Sequence, residues 1–165
     1  MKQELTTDKA SRFIEATPEA LYGLISDVTR TPEYSPEVVK CTWIKGATGP
    51  VVGAQFKAIN HAGRVPDWPN KPVITVVEPN RSFAFERSEI GGGTIEWRYQ
   101  FEPHGTGTLV TESYTVLKNV NPLGWFIIDT LAGLKDRRTD LQNGMTTSLE
   151  RIAAIVEHQA PARSV

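Results

Sequence analysis

From Lys135 to Ala160 no proline interrupts the chain, and Leu134, Arg138, Leu141, Met145, Leu149, Ile152 and Val156 recur every three or four residues. That spacing predicts the buried stripe of one long amphipathic helix within a C-terminal segment running from Asn121 to about His158. Asp140, Asn143, Thr147, Glu150, Arg151 and Glu157 make an opposite face suited to water, and Pro161 marks the stop. At 1.5 Å per residue such a helix spans roughly 30 Å. It must lay its apolar face on something large, and almost everything before it alternates like β-strand. The expectation is a curved sheet holding a long C-terminal helix.

A chain of 165 residues suffices for one domain with a real core and is short for two. Eighteen Lys and Arg against nineteen Asp and Glu leave it near neutrality, with no basic block to suggest nucleic acid. The single cysteine, Cys41, rules out an internal disulfide and fits a reducing compartment. Met1–Ala10 lacks an apolar signal core, and the apolar run Leu123–Leu134 is broken by Asp129 and too short to span a bilayer. A soluble, cytoplasmic protein without stable membrane insertion is expected. Its domain should cover residues 9–158, between flexible ends at 1–8 and 159–165. Oligomeric state is not legible.

Read in order, Lys9–Ala16 predicts a first strand. Thr17-Pro18-Glu19 then starts a helix with Thr as N-cap, Pro at N1 and an acid in the first turn. Leu21, Leu24, Ile25 and Val28 form its stripe. A second Thr-Pro-Glu at Thr31–Glu33 should open another short helical turn. From Glu37 the period changes to two, giving strands around Val39–Trp43, Ala54–Ala62, Pro72–Val77, Ser82–Arg87, Thr94–Glu102 and Thr108–Leu117. Gly46–Gly53, Glu78–Arg81, Gly91–Gly93 and His104–Gly107 carry turn chemistry, and Gly63–Pro72 reads as an irregular or edge segment. Strands joined by short turns imply an antiparallel sheet and an α+β class.

The order β-αα-β6-α and three stretches carry a family likeness: TPEALYGLISDVTRTPEYSPEVVKCTWIKGATGPVVGAQF, VVEPNRSFAF and WRYQFEPHGTGTLVTESY. Over roughly Lys9–Val156 the chain resembles the polyketide cyclase/dehydrase-like branch of the START-like (SRPBCC) superfamily. The resemblance implies a helix-grip fold, a seven-stranded antiparallel sheet wrapped around the C-terminal helix and enclosing an apolar cavity. Members of that superfamily include lipid carriers, hormone and allergen-type binders and aromatase/cyclases, so fold alone does not give function. Relatives with cyclase activity carry an Arg in the cavity, and Arg64 is the nearest candidate here. The stretch GRVPDWPNKP at Gly63–Pro72 departs from the more basic run that similar sequences carry.

Alternation places Val39, Cys41, Trp43, Phe56, Ala58, Asn60, Phe83, Phe85, Trp97, Tyr99, Val110, Glu112 and Tyr114 on the concave face. A filled core would explain the rings. The polar groups among them call for partners at depth, which a ligand cavity supplies. The candidate ligand contacts are therefore Trp43, Phe56, Asn60, Phe85, Trp97, Tyr99, Glu112 and Tyr114. Tyr34 and Trp68 are added at the mouth, and Leu141 and Met145 on the helix. Glu112, between Val110 and Tyr114, should hold its proton tightly and serve as acid or donor, unless it pairs with Arg98 or Lys118. Catalytic candidates are Glu112, Tyr114 and Arg64. Arg138 either snorkels or binds a ligand anion. Cys41 reads as a buried structural thiol.

There is no G-x-S-x-G elbow, P-loop or G-x-G-x-x-G, and His61, His104 and His158 are too scattered for a local metal motif, so no cofactor or metal is expected. Three functions fit. One is a carrier or binder of a lipid, fatty acyl or polyketide-like molecule; another is an aromatase/cyclase or dehydrase; the third is an interaction protein whose cavity is packed shut. Asn121–Lys135, with Gly124 and Gly133, is either a movable gate or the packed start of the long helix.

Overall fold

The computed structural model describes residues 4–89 and 91–159. Strand β1 (Thr7–Ile14) is followed by helix α1 (Pro18–Ser26) and a 3₁₀ helix at Val28–Glu33. Seven strands follow: β2 (Val38–Ile44), β3 (Gln55–Asn60), β4 (Trp68–Asn70), β5 (Val73–Glu78), β6 (Ser82–Ser88), β7 (Thr94–His104) and β8 (Gly107–Lys118). The chain ends in α2 (Pro122–Phe126), a π-helical turn at Ile127–Leu131, and α3 (Arg137–Gln159). The sheet is antiparallel throughout, in the order β1-β8-β7-β6-β5-β3-β2, and short β4 pairs off this path with β3. The class is thus α+β with the expected seven-strand path, and the proline-rich segment contributes an eighth, three-residue strand.

The helix starts follow local chemistry. Thr17 Oγ1 accepts from the Ala20 amide at 3.2 Å, with Pro18 at N1. The 3₁₀ helix begins at Val28, earlier than the second Thr-Pro-Glu suggested, because Asp27 caps it through the Thr29 amide and hydroxyl. In β2 the register shifts between Val38 and Lys40. This bulge turns Val39 out to 50% exposure and overturns its concave-face assignment. Strand β1 starts at Thr7, paired with Thr115, and Leu5 is buried. Of the ends expected to be flexible, residues 1–3 and 160–165 lie outside the described residues.

Helix α3 packs across β1, β8 and α1. Its C-terminal half places Leu149, Ile152, Ala153 and Val156 in a core with Leu21, Ile25, Phe83, Phe101 and Val110. Its N-terminal half places Leu141 and Met145 with Trp97, Tyr114, Trp125 and Ile128. Burying each large side chain contributes about 1.5–3 kcal/mol. The stripe differs from the expected one at its first turn: Arg137, not Arg138, is buried. Arg137 precedes Leu141 and Met145 by four and eight residues and so lies on their face. Arg138 points outward beside Asp8, 3.6 Å away.

Candidate functional site

Between the sheet and the N-terminal half of α3 lies a cleft of about 390 Å³. Its walls draw on both cores: Cys41, Phe56, Ala58 and Tyr99 from one, Trp97, Leu141 and Met145 from the other. The sheet's twist and the β2 bulge bring Val38 to the wall in place of Val39. The cleft meets solvent beside His61, Asp140 and Asn143, which are exposed. Rings dominate its middle, where Phe56 and Phe85 pack edge to face at 5.3 Å.

Two polar groups of residues bound that apolar middle. The first is Glu112 on β8 and its cross-strand neighbour Tyr99 on β7. The Tyr99 hydroxyl donates to Glu112 Oε1 at 2.9 Å, while Oε2 has no partner among the described residues. Burial penalises the charged carboxylate, and Tyr99 offsets only part of that, so the Glu112 carboxyl is pushed up to about 8. At neutral pH it is mostly a carboxylic acid. Burial also raises the Tyr99 and Tyr34 phenols, and it pushes the Cys41 thiol up to about 12, leaving no thiolate nucleophile.

The second group is ionic and draws on four segments. Glu37 accepts from Arg137 at 2.9 and 3.0 Å and from Arg87 at 3.3 Å. Arg87 also donates to Glu89, donates to Asn60 Oδ1 at 3.5 Å, and sits 5.5 Å from the centre of the Trp97 ring. Burial alone would raise the Glu37 carboxyl, but Arg137 and then Arg87 bring it below the usual range. Burial likewise works against the Arg87 charge, yet Glu89 and Glu37 more than compensate and raise it. Arg87 lies four residues along β6 from Phe83, the cross-strand partner of Tyr99. The two groups therefore stand roughly 13 Å apart along the strands.

The sequence and fold comparisons agree with this architecture. The polyketide cyclase / dehydrase and lipid transport family matches residues 7–157. The chain belongs to that family. It is 31% identical to the polyketide cyclase-like protein Cgl2372 from Corynebacterium glutamicum, covering 93% of this chain and 92% of that one, with a TM-score of 0.61. A TM-score of 0.74 relates it to the di-domain ARO/CYC protein StfQ from the steffimycin biosynthetic pathway, at 15% identity. That match covers 94% of this chain and 51% of StfQ, so the chain spans about half of the di-domain protein. Ara h 8.0201 is 16% identical with a TM-score of 0.66, covering 92% of this chain and 97% of its own. The likeness to the last two is one of fold. No curated protein matches.

Of the family member's expected contact residues, Phe56, Phe85, Trp97, Tyr99, Glu112, Leu141 and Met145 line the cleft. The others do not. Tyr114 is buried beside Trp97 in the core, with ring centres 5.5 Å apart. Trp43 stacks edge-on behind Phe56 at 6.2 Å. Tyr34 is buried beneath the 3₁₀ helix. Asn60 is fully buried, donates to the Trp68 carbonyl at 3.3 Å and supports Arg87. Trp68 lines a separate crevice of about 20 Å³. Arg64 is exposed over Gly133, and its amide donates to the Ala132 carbonyl at 3.0 Å. Arg98 pairs with Glu96 at 3.0 Å, not with Glu112.

Sequence reading missed Glu37, Arg87, Glu89 and Arg137, because partners 50 and 100 residues apart leave no local signature. Arg87, two residues beyond Phe85 on a strand face assigned to the core, was the available signal. The segment Asn121–Lys135, for which a movable gate and a packed helix start were both open, is held against the Gly91 turn in this structure. A Cβ on Gly91 would meet Gly124 Cα at 2.4 Å, and the Asn121 amide donates to the Gly91 carbonyl. Gly91 thus permits a close approach of the two backbones. Leu123, Phe126 and Leu131 on this segment are more than half exposed. Among the described residues, no three metal-ligating side chains converge, and no helix is long and apolar enough to cross a membrane.

Proposed function

We propose that this protein binds and carries a small hydrophobic molecule in the cleft between its sheet and α3. The observation that carries the reading is a ring-lined cleft of about 390 Å³ with a neutral acid on its wall. A protein packed shut between sheet and helix would leave no such opening, whereas this cleft reaches from solvent at His61, Asp140 and Asn143 in to the buried rings. Its size argues against the packed-shut interaction protein. It lies at the lower end of the range typical of small-molecule sites, about 300–1,000 Å³. Apolar burial supplies affinity at roughly 25 cal/mol per Å², and the polar groups orient the ligand. A single unpaired cysteine accords with a cytoplasmic carrier.

The test is a titration with the neutral fluorophore N-phenyl-1-naphthylamine. Wild type should enhance its emission saturably, and Ala58→Phe, which fills the cleft from β3, should not while keeping its circular dichroism. Equal binding by both proteins places the site elsewhere.

One observation favours a second reading, a polyketide cyclase or dehydrase. Glu112 holds its proton near neutrality and is positioned by Tyr99, as a general acid requires. In that role it would give its proton to the hydroxyl departing as water in an aldol dehydration, and the carboxylate so formed would take the α-proton as the carbon–carbon double bond forms, restoring the acid. Turnover of a polyketone substrate by wild type, abolished in Glu112→Gln, supports it; unchanged turnover removes Glu112 from the mechanism.

A further inference from the structure

The cleft's cations are already spent on its anions. Arg87 and Arg137 are held by Glu37 and Glu89, two positive charges against two negative. Asp140 at the mouth adds a negative charge, and His61 beside it is paired with Asp67 at 2.7 Å. An anionic ligand entering this space would lose its hydration with no surplus cation among the described residues to receive it, a cost that grows steeply with burial. The other polar group is neutral. The titratable groups that act on or with Glu112 are Tyr99 on β7 and Tyr34 behind the 3₁₀ helix, while Cys41 on β2 shares the cleft wall, and burial holds all three protonated. No cation contributes to the state of Glu112.

Within that group the hydrogen-bond directions are set. Tyr99 donates to Oε1, so the carboxyl's own proton belongs on Oε2. Glu112 is 4% exposed, and Oε2 has no acceptor among the described residues. A buried donor left unpaired costs about 1–3 kcal/mol, which an acceptor oxygen on a ligand removes. Two other groups on the wall, the Trp97 indole N–H and the Asn70 side-chain amide, also lack partners among the described residues. The volume of about 390 Å³ lies near the lower end of the range for small-molecule sites, which suits a compact ring system with a substituent and not a two-chain lipid.

Building on the ligand-binding reading above, we propose that the cleft selects an uncharged, flat ligand whose carbonyl or similar acceptor oxygen bonds to the Glu112 carboxyl, and that it rejects carboxylates of the same size. This narrows the candidates to ketones, quinones, phenols and esters and sets free fatty acids aside.

Displacement of N-phenyl-1-naphthylamine by a matched pair tests it: 2-acetylnaphthalene, a ketone, against 2-naphthoate, an anion of equal size. At pH 6.5 the ketone should compete at least about tenfold better, a difference of about 1.4 kcal/mol. At pH 9.5 Glu112 is ionised, so the ketone's affinity for wild type should fall by about thirtyfold. In Glu112→Gln, whose amide still donates, the affinity should stay constant with pH. In Glu112→Met, which keeps the volume and loses the donor, it should be low at both. A carboxylate that competes as well as the ketone, or a ketone affinity flat with pH in wild type, overturns the selectivity while leaving the cleft a ligand site. If the fluorophore itself does not bind, the ligand-binding reading and the selectivity both fail. Should Glu112→Gln not fold, the wild-type pH series and Glu112→Met still decide.

Discussion

Replacing Glu112 by Gln should change how the fold responds to pH more than it changes stability at any one pH. In the unfolded chain a Glu carboxyl gives up its proton near 4.5, whereas in the folded protein Glu112 keeps it up to about 8. Between those values the folded state binds more protons than the unfolded one. Stability therefore falls as pH rises through this window, and the contribution is lost above about 8. At 1.36 kcal/mol per pH unit, moving from pH 5 to pH 8 costs wild type about 4 kcal/mol through this residue. That is a large part of a stability of about 5–15 kcal/mol. Glu112→Gln cannot ionise and escapes this loss, so it should gain on wild type by about that amount over the interval. Urea unfolding at pH 5, 6, 7 and 8, followed by tryptophan fluorescence, measures both proteins. Titration of other groups is common to the two and cancels in the difference. A difference constant with pH to within about 0.5 kcal/mol would mean that Glu112 is ionised in the folded protein. The donor role argued for Oε2 would fall with it.

Arg137→Met should cost about 3–5 kcal/mol in chemical denaturation, because it strips Glu37 of its nearer cation inside the fold. Adding Glu37→Gln to that variant should recover part of the loss, and an additive double mutant would deny the coupling. The Glu37 carboxyl is held below the usual range, so its contribution is present at neutral pH and lost as pH falls through the acid region. Glu37→Gln should accordingly flatten the acid limb of the stability curve. Leu149→Ala, at a side chain 1% exposed, should cost about 2–5 kcal/mol; a loss under about 1 kcal/mol would show that α3 is not clamped there. Gly63→Ala should destabilise by about 1–3 kcal/mol, since φ is +62° and its Cβ would lie 2.2 Å from the Ala132 carbonyl oxygen. An unchanged midpoint of thermal unfolding would refute that contact.

The features legible in the sequence were those written in local periodicity. Alternation along β7 and β8 placed Trp97, Tyr99, Val110, Glu112 and Tyr114 on the buried face, where the register puts them. The stripe from Leu141 to Val156 was equally direct. Alternation failed at Val39 because a bulge shifts the pleat by one residue. It failed at Arg138 because three- and four-residue spacings both fit a helix, and only packing chose Arg137. Facing inward is also not the same as reaching the cleft. Tyr114 and Asn60 are as buried as any residue, yet one is spent on the core and the other on holding Arg87. The Glu37–Arg87–Arg137 cluster is assembled by the fold from distant segments, and only the tertiary structure reveals it.

The account rests on a small hydrophobic molecule occupying the cleft, and native mass spectrometry of the freshly purified protein tests this most directly. Wild type should carry an adduct of roughly 150–300 Da, the size the cleft accommodates. The adduct should be stripped by organic solvent and absent from Ala58→Phe. A wild-type protein that emerges at its bare mass, and also takes up none of a panel of neutral aromatic ketones, quinones and phenols, would contradict the account.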